Sequence, residues 1–159
     1  MSKVKTIPGD LIKLAQQGEF DVIAHGCNCQ CAMGAGIAKI IKKVFPAAYK
    51  ADCETEKGSR EKLGTCSVAT CPTESGWVDA GSVDVVNAYT QFHWRGAGVK
   101  ADYEAIRKCM AWIRENYSGR RIGLPKIGAG LAGGDWQVIL GIIEDELGGE
   151  DVTVVEYVP

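Results

Sequence analysis

Two stretches of this chain are built the same way. Asn28 to Ile41, "NCQCAMGAGIAKII", and Leu124 to Leu140, "LPKIGAGLAGGDWQVIL", each run from an apolar strand candidate through glycines into a helix candidate. A strand that feeds a helix through a short turn is half of a parallel-sheet unit, because parallel strands need a crossover between them. Two such junctions restrict the chain to α/β architectures. In an open α/β sheet the carboxyl ends of the strands face a crevice, where helix amino ends present unpaired N–H groups to anions. One glycine-rich turn is a weak sign, since glycine also serves plain turns. Two at matching junctions point to a paired cradle for something like a diphosphate.

The remaining periodicity agrees. Lys3 to Ile7 alternates as a strand, Asp10 starts a helix that Gly18 ends, and "DVIAHGC" reads as a buried strand. From Gly36 to Phe45, Ile37, Ile40, Ile41 and Val44 form one helical face, with Lys39, Lys42 and Lys43 outside it. Pro46 opens a further helical stretch, "PAAYKADCETEK". After Gly64, "GTCSVATCP", "GWVDA" and "VDVVNAYTQ" read as strands joined by tight turns. The longest helix, "VKADYEAIRKCMAWIRENY", carries a stripe of Tyr103, Ile106, Met110, Ile113 and Tyr117, and Gly119 ends it. A strand "RIGLPKI", the second glycine turn, a helix "WQVILGIIEDEL" and a strand "DVTVVEYV" close the chain. Strands alternating with helices predict a three-layer α/β/α sandwich with a mixed, mainly parallel sheet, as one domain over residues 1–159.

Hydrophobic residues at 46% and charged residues at 24% exclude a disordered chain. The amino end, "MSKVKTIPGDLIKL", lacks the apolar run of a signal peptide, and no stretch approaches the roughly 20 apolar residues of a membrane span. The expectation is a cytoplasmic protein with no membrane partner. A net charge of −2 offers no general field to nucleic acid, although "KIIKKVF" and "GRRIGLPK" are locally basic, so an anion needs a local site. The odd number of cysteines, seven, favours reduced thiols over a disulfide framework. Cys27, Cys29 and Cys31, completed by Cys53, Cys66, Cys71 or His25, could supply zinc ligands, but the paired knuckles of a structural zinc site are missing. A catalytic thiol near a helix amino end is a second reading. Small buried residues around a tight turn is the favoured one, and no metal is expected.

Neither glycine segment is a Walker loop, and neither has the full dinucleotide spacing with its acidic residue. Taken in order, "GD" after the first strand, "HGCN…MGAGIA", "VVNAYTQFHW" and "PKIGAGLAGGDW" resemble the macrodomain family of ADP-ribose binders and hydrolases, over nearly the whole chain. The resemblance implies that Asp10 receives the adenine amino group; a helix cap is the plainer role for it. It implies that Asn28 grips the distal ribose, against an asparagine that only closes a turn. Gly34, Ala35, Gly36 and Ile37 match the first diphosphate loop, and Gly128, Ala129, Gly130, Leu131 and Ala132 the second. Leu11, Met33 and Gln91 complete the implied lining, and Trp136 walls the distal ribose or joins the core.

The departures from the family matter as well. Branches that use a lysine nucleophile carry it near the end of the central strand, where this chain has Gln91, and the aspartate that can follow the second loop is Ala132 here. Glutamine in that motif resembles the branch that dephosphorylates ADP-ribose 1″-phosphate. Such a reaction needs an anion site, a positioned water and a proton donor, with no obligatory metal or cofactor. His25, expected at the mouth of the first loop, and Asp135, after the second, are the acid/base candidates, with Asn28 positioning the substrate. The competing roles are a core imidazole and a helix cap; His93 is a weaker candidate. The resemblance thus implies a hydrolase of ADP-ribose 1″-phosphate. Its alternatives are a module that reads ADP-ribose without turnover, or a hydrolase removing ADP-ribose from modified protein or nucleic acid. The partners implied are ADP-ribose, its 1″-phosphate or ADP-ribosylated macromolecules, met by a monomer.

Overall fold

The computed structural model describes residues 4–74, 81–95 and 98–158. In chain order the elements are β1 (Val4–Gly9), α1 (Leu11–Gln16), β2 (Val22–Asn28), α2 (Gly36–Val44), α3 (Pro46–Cys53), a 3-10 turn (Arg60–Lys62), β3 (Cys66–Pro72), β4 (Ser82–Gln91), α4 (Tyr103–Tyr117), β5 (Arg121–Leu124), α5 (Trp136–Leu147) and β6 (Asp151–Tyr157). They form one six-stranded sheet in the order β1-β6-β5-β2-β4-β3. Every pairing is parallel except β3 with β4. The expected mixed, mainly parallel sheet between helical layers is what the chain forms.

Successive strand residues point to opposite faces, and both faces are covered. Val22, Ala24, Val86 and Ala88 pack with Ile106, Met110 and Ile113 of α4 and with Ile139 and Ile143 of α5. Ile23 and Val85 pack on the other side with Leu11, Ile12, Ile41, Phe45 and Ala48, which belong to or adjoin α1, α2 and α3. The stripe read on α4 is accordingly the one it buries, with Tyr103 and Tyr117 at its partly buried ends. On α2 the expected face is narrower: Ile41 is buried, whereas Ile40 is 47% exposed. The third helical stretch stops at Cys53 rather than running to Lys57, and the strand expected at "GWVDA" lies outside the described residues. No helix among the described residues is long and apolar enough to cross a membrane.

One detail of register positions everything below. β2 follows β4 from Val22 to Asn28, yet it pairs with β5 only at Val22 with Ile122 and Ile23 with Gly123. Beyond those pairs β2 and β5 part. α2, which follows β2, packs on one face of the sheet, and α5, which follows β5, packs on the other. The parting is therefore a topological switch point, where an open α/β sheet leaves a crevice.

Candidate functional site

A cleft of about 550 Å³ occupies that crevice. The first glycine loop forms one wall through Gly34, Ala35 and Gly36, and Gly128, Gly130, Leu131 and Ala132 form the facing wall. Asn28, Gln91 and Trp94 border the end toward β4, and Pro125 and Lys126 border the end at β5.

The helices differ at their amino ends. Of the uncapped ones, α3 starts on Phe45 with a proline in its first turn, and only the end of α2 borders the cleft among the described residues. α1, α4 and α5 begin on Asp10, Asp102 and Asp135, whose carboxylates accept from Ile12 and Lys13, from Ala105, and from Gln137 N–H groups respectively. α2 begins on Ala35, which has no capping side chain. Its first N–H groups therefore remain available at the cleft, with the positive end of the helix dipole behind them. An aspartate there would satisfy those donors and repel an anion; alanine leaves both donors and space.

The glycines also separate into two kinds. A Cβ on Gly134 would meet the Gly128 carbonyl oxygen at 2.6 Å, and one on Gly128 would press Ile106 and Ile139 at 3.1 Å from a left-handed φ of 76°. These glycines are demanded by the fold. A Cβ on Gly34 or Gly130 would meet nothing within 4 Å, and neither residue has a left-handed φ. Both line the cleft, so the bareness of their backbone serves something that approaches from outside the protein.

Of the side chains expected at the site, Asn28 and Gln91 do border the cleft. Asn28 Nδ2 donates to the Ala32 carbonyl at 2.9 Å and its Oδ1 accepts from Gln30 N–H at 2.8 Å, so it closes the loop while facing the cleft. Gln91 Nε2 donates to the His93 carbonyl at 3.1 Å. Asp10 caps α1 and Asp135 caps α5, and neither is part of the cleft lining.

Five of the expected site residues need correction. His25 is not at the mouth of the first loop: it is fully buried, with Nε2 2.7 Å from Asn87 Oδ1. Asn87 donates its own amide to the Ala48 carbonyl and to Ser67 Oγ, which leaves its oxygen to accept from the imidazole. Burial lowers the His25 pKa to about 4, with the Asn87 contact opposing in part. It is a neutral core group and does not serve a ligand in the cleft. Leu11 belongs to the core beside Phe20 and Ile23, and Met33 is buried with Cys27, Cys29 and Tyr89. Trp136 packs against the α4–α5 core side and does not border the cleft. Ala129 likewise contributes to the second loop from the core side.

The cysteine run resolves into packing. Cys27 and Cys29 are buried, Cys31 is half-buried with a φ of 55°, and burial pushes the Cys27 and Cys29 thiols up, away from thiolate character. Among the described residues no three His, Cys, Asp or Glu side chains gather as metal ligands.

Trp94 and Lys126 are among the lining residues that sequence reasoning missed. Trp94 is 45% exposed and stacks on His93 with 4.2 Å between ring centroids. Lys126 stands two residues before Gly128, in "LPKIG", and that adjacency to the loop was the available signal. In the sequence it also ends the locally basic run "GRRIGLPK".

The Macro domain family model matches residues 24–143, which include both glycine loops and the strands beneath them. The chain belongs to the Macro domain family. An uncharacterized 17.5 kDa protein from the tk-vs intergenic region of Enterobacteria phage T4 is 34% identical over 161 residues, covering 98% of this chain and 97% of that protein. An ADP-ribose 1″-phosphate phosphatase of Meyerozyma guilliermondii is 46% identical over 50 residues, which are 31% of this chain and 28% of that protein. The ADP-ribose glycohydrolase OARD1 of Bos taurus is 24% identical over 159 residues, covering 98% of this chain and 91% of that protein.

Proposed function

We propose that this macrodomain is a hydrolase that binds an ADP-ribose derivative across the cleft and acts at the distal ribose, with ADP-ribose 1″-phosphate as its substrate. The observation that carries this reading is the uncapped amino end of α2, facing glycines whose missing side chains leave room for a ligand and not for the protein. Oriented N–H groups in a partly enclosed cleft stabilise a diphosphate without a metal, and the same groups can stabilise charge that develops on a phosphoryl group. Relatives named for ADP-ribose 1″-phosphate and for ADP-ribose hydrolysis support the class of ligand and reaction.

At the distal end Asn28 orients the ribose while its amide holds the loop. Gln91 borders the cleft, and by the family resemblance it stands where a lysine nucleophile would be needed for the covalent route, which favours direct attack by water. Water adds to phosphorus and gives up a proton, the phosphorus–oxygen bond to the ribose breaks, and the departing 1″-oxygen takes up that proton, so that ribose hydroxyl and phosphate are the products. Asp135 is the carboxylate next to the second loop. Its Oδ1 caps α5 by accepting from Gln137 N–H at 2.9 Å, and it does not itself border the cleft. We therefore assign to its carboxylate only the proton of a water that lies between it and the second loop. The test is phosphate release from ADP-ribose 1″-phosphate by the purified protein, with calorimetric titration of ADP-ribose beside it. Turnover that falls at least about a hundredfold in Asn28→Ala and Asp135→Asn is the expected result. Unchanged turnover in Asp135→Asn returns that residue to capping alone.

One observation favours a second reading. Among the described residues that border the cleft, Lys126 is the one ionisable acid or base apart from the Cys27 thiol, and burial holds that thiol protonated. A site so poor in proton-transfer groups suits a module that reads ADP-ribose without turning it over. Tight binding of ADP-ribose with no phosphate released would select it.

A further inference from the structure

Lys126 places the one full charge on a cleft otherwise walled by neutral backbone and side chains among the described residues. It follows β5, and its ammonium lies 3.6 Å from Glu156 Oε1 on β6 and 5.6 Å from the ring centroid of Trp136. β6 flanks β5 on the side away from β2, so Lys126 stands across the cleft from Asn28, Gln91 and Trp94.

The Glu156 pair is loose, and the two side chains keep 38% and 55% of their exposure. A pair of that kind contributes little to stability, so exchanging the carboxylate for a phosphate costs the fold little. The indole face beside the ammonium favours its position at the cleft without neutralising it. The arrangement is that of a cation kept near an anion site by a weak, replaceable partner.

We propose that Lys126 is an anion anchor, holding a phosphate of the ligand's diphosphate, with Glu156 as the internal competitor that the ligand displaces. Trp136 is the positioning residue of this device. The proposal rests on the ADP-ribose reading above and adds to it a charge contact and a built-in opponent.

The experiment is calorimetric titration of the full chain with ADP-ribose and with ADP, at low and at moderate salt, for the wild type, Lys126→Gln, Glu156→Gln and the double variant. Lys126→Gln is expected to weaken both ligands about tenfold at low salt and to flatten the salt dependence, because the screened contact is gone. Glu156→Gln is expected to tighten both ligands about threefold, since a rim pair is worth only a fraction of a kcal/mol. In the double variant that gain disappears. A gain of affinity on removing Glu156 is not something a merely structural pair would give. Unchanged affinity in Lys126→Gln, an effect on ADP-ribose but not on ADP, or weaker binding in Glu156→Gln each overturns the proposal. Failure of the wild type to bind ADP-ribose at either salt overturns the functional reading and this proposal together, whereas wild-type binding with an indifferent Lys126→Gln overturns this proposal alone.

Discussion

The two glycine loops look alike in sequence, yet steric locking of glycines is found in the second and not at Gly34 of the first. The second loop is locked sterically, because Gly134 and Gly128 occupy places where a methyl group would strike backbone or core. The second loop also makes polar contacts, such as Gly134 N–H to the Gly128 carbonyl at 2.8 Å, whereas the first loop has polar contacts without a steric lock at Gly34. Asn28 ties Ala32 and Gln30, and the Gly58 N–H donates to the Cys29 carbonyl at 2.7 Å. Glycine therefore answers two separate demands in this cleft. In the second loop most of it belongs to the fold, whereas Gly34 and Gly130 belong to whatever enters.

The sharpest way to break that division is at Gly134. Gly134→Ala puts a Cβ 2.6 Å from a backbone oxygen, an atom that cannot move aside cheaply. A destabilisation of roughly 3 kcal/mol is expected, at the upper end for an overpacked core position. Chemical denaturation measures it, and a loss below about 1 kcal/mol would mean that the second loop is not sterically locked.

The second test separates the loops by pH. His25 lies on β2, the strand that leads into the first loop, and is held neutral by burial with a pKa of about 4 against an ordinary 6.5. The unfolded chain takes up this proton first as pH falls, so the stability it represents is complete above pH 6.5 and is lost as pH falls toward 4. The slope is about 1.4 kcal/mol per pH unit within that window, and about 3 kcal/mol in total. Denaturation midpoints across this range should fall steeply for the wild type and less so for His25→Gln. Equal slopes would show that His25 is not the group that titrates.

The fold was legible because its signals are local and redundant. Asp10 before α1, the stripe on α4 and the β-branched run of β4 each state one element, and a parallel order follows from their alternation. The cleft was legible where the backbone does the work, as at Gly34 to Gly36 and Gly128 to Ala132. Side-chain direction was less so. Two adjacent residues on β2 face opposite ways, and sequence order alone put His25 at a site from which its side chain is turned into the core beside Asn87. Trp136 was lost for a similar reason: being first in a helix after a loop says nothing of which side of that helix meets the cleft. Lys126 was missed because a single lysine acquires meaning only from the neutrality of everything around it.

The first loop can be tested without harming the fold. Ala35 has φ −147° and ψ 159°, the extended backbone of a capping residue, so Ala35→Asp should cap α2 and raise stability by about 1 kcal/mol. The same carboxylate closes the open donors and opposes an anion, so ADP-ribose affinity should fall about a hundredfold. Stability that rises while binding falls would show that this helix end is left uncapped for a ligand. If both rose, the end of α2 would be no anion site.

The smallest effect divides the two kinds of glycine most finely. Gly34→Ala adds a methyl group into open space beside the cleft, from a backbone that an L-residue can adopt. Folding stability should stay level or rise by a few tenths of a kcal/mol, because the unfolded chain loses freedom. Binding should weaken by about tenfold, because the methyl occupies space that the ligand needs for close approach to N–H groups. Gly130→Ala should behave alike, although it lies in the other loop. A pair that agrees across the two loops, while Gly134→Ala departs from both, would tie the division to what each glycine faces and not to the loop it belongs to.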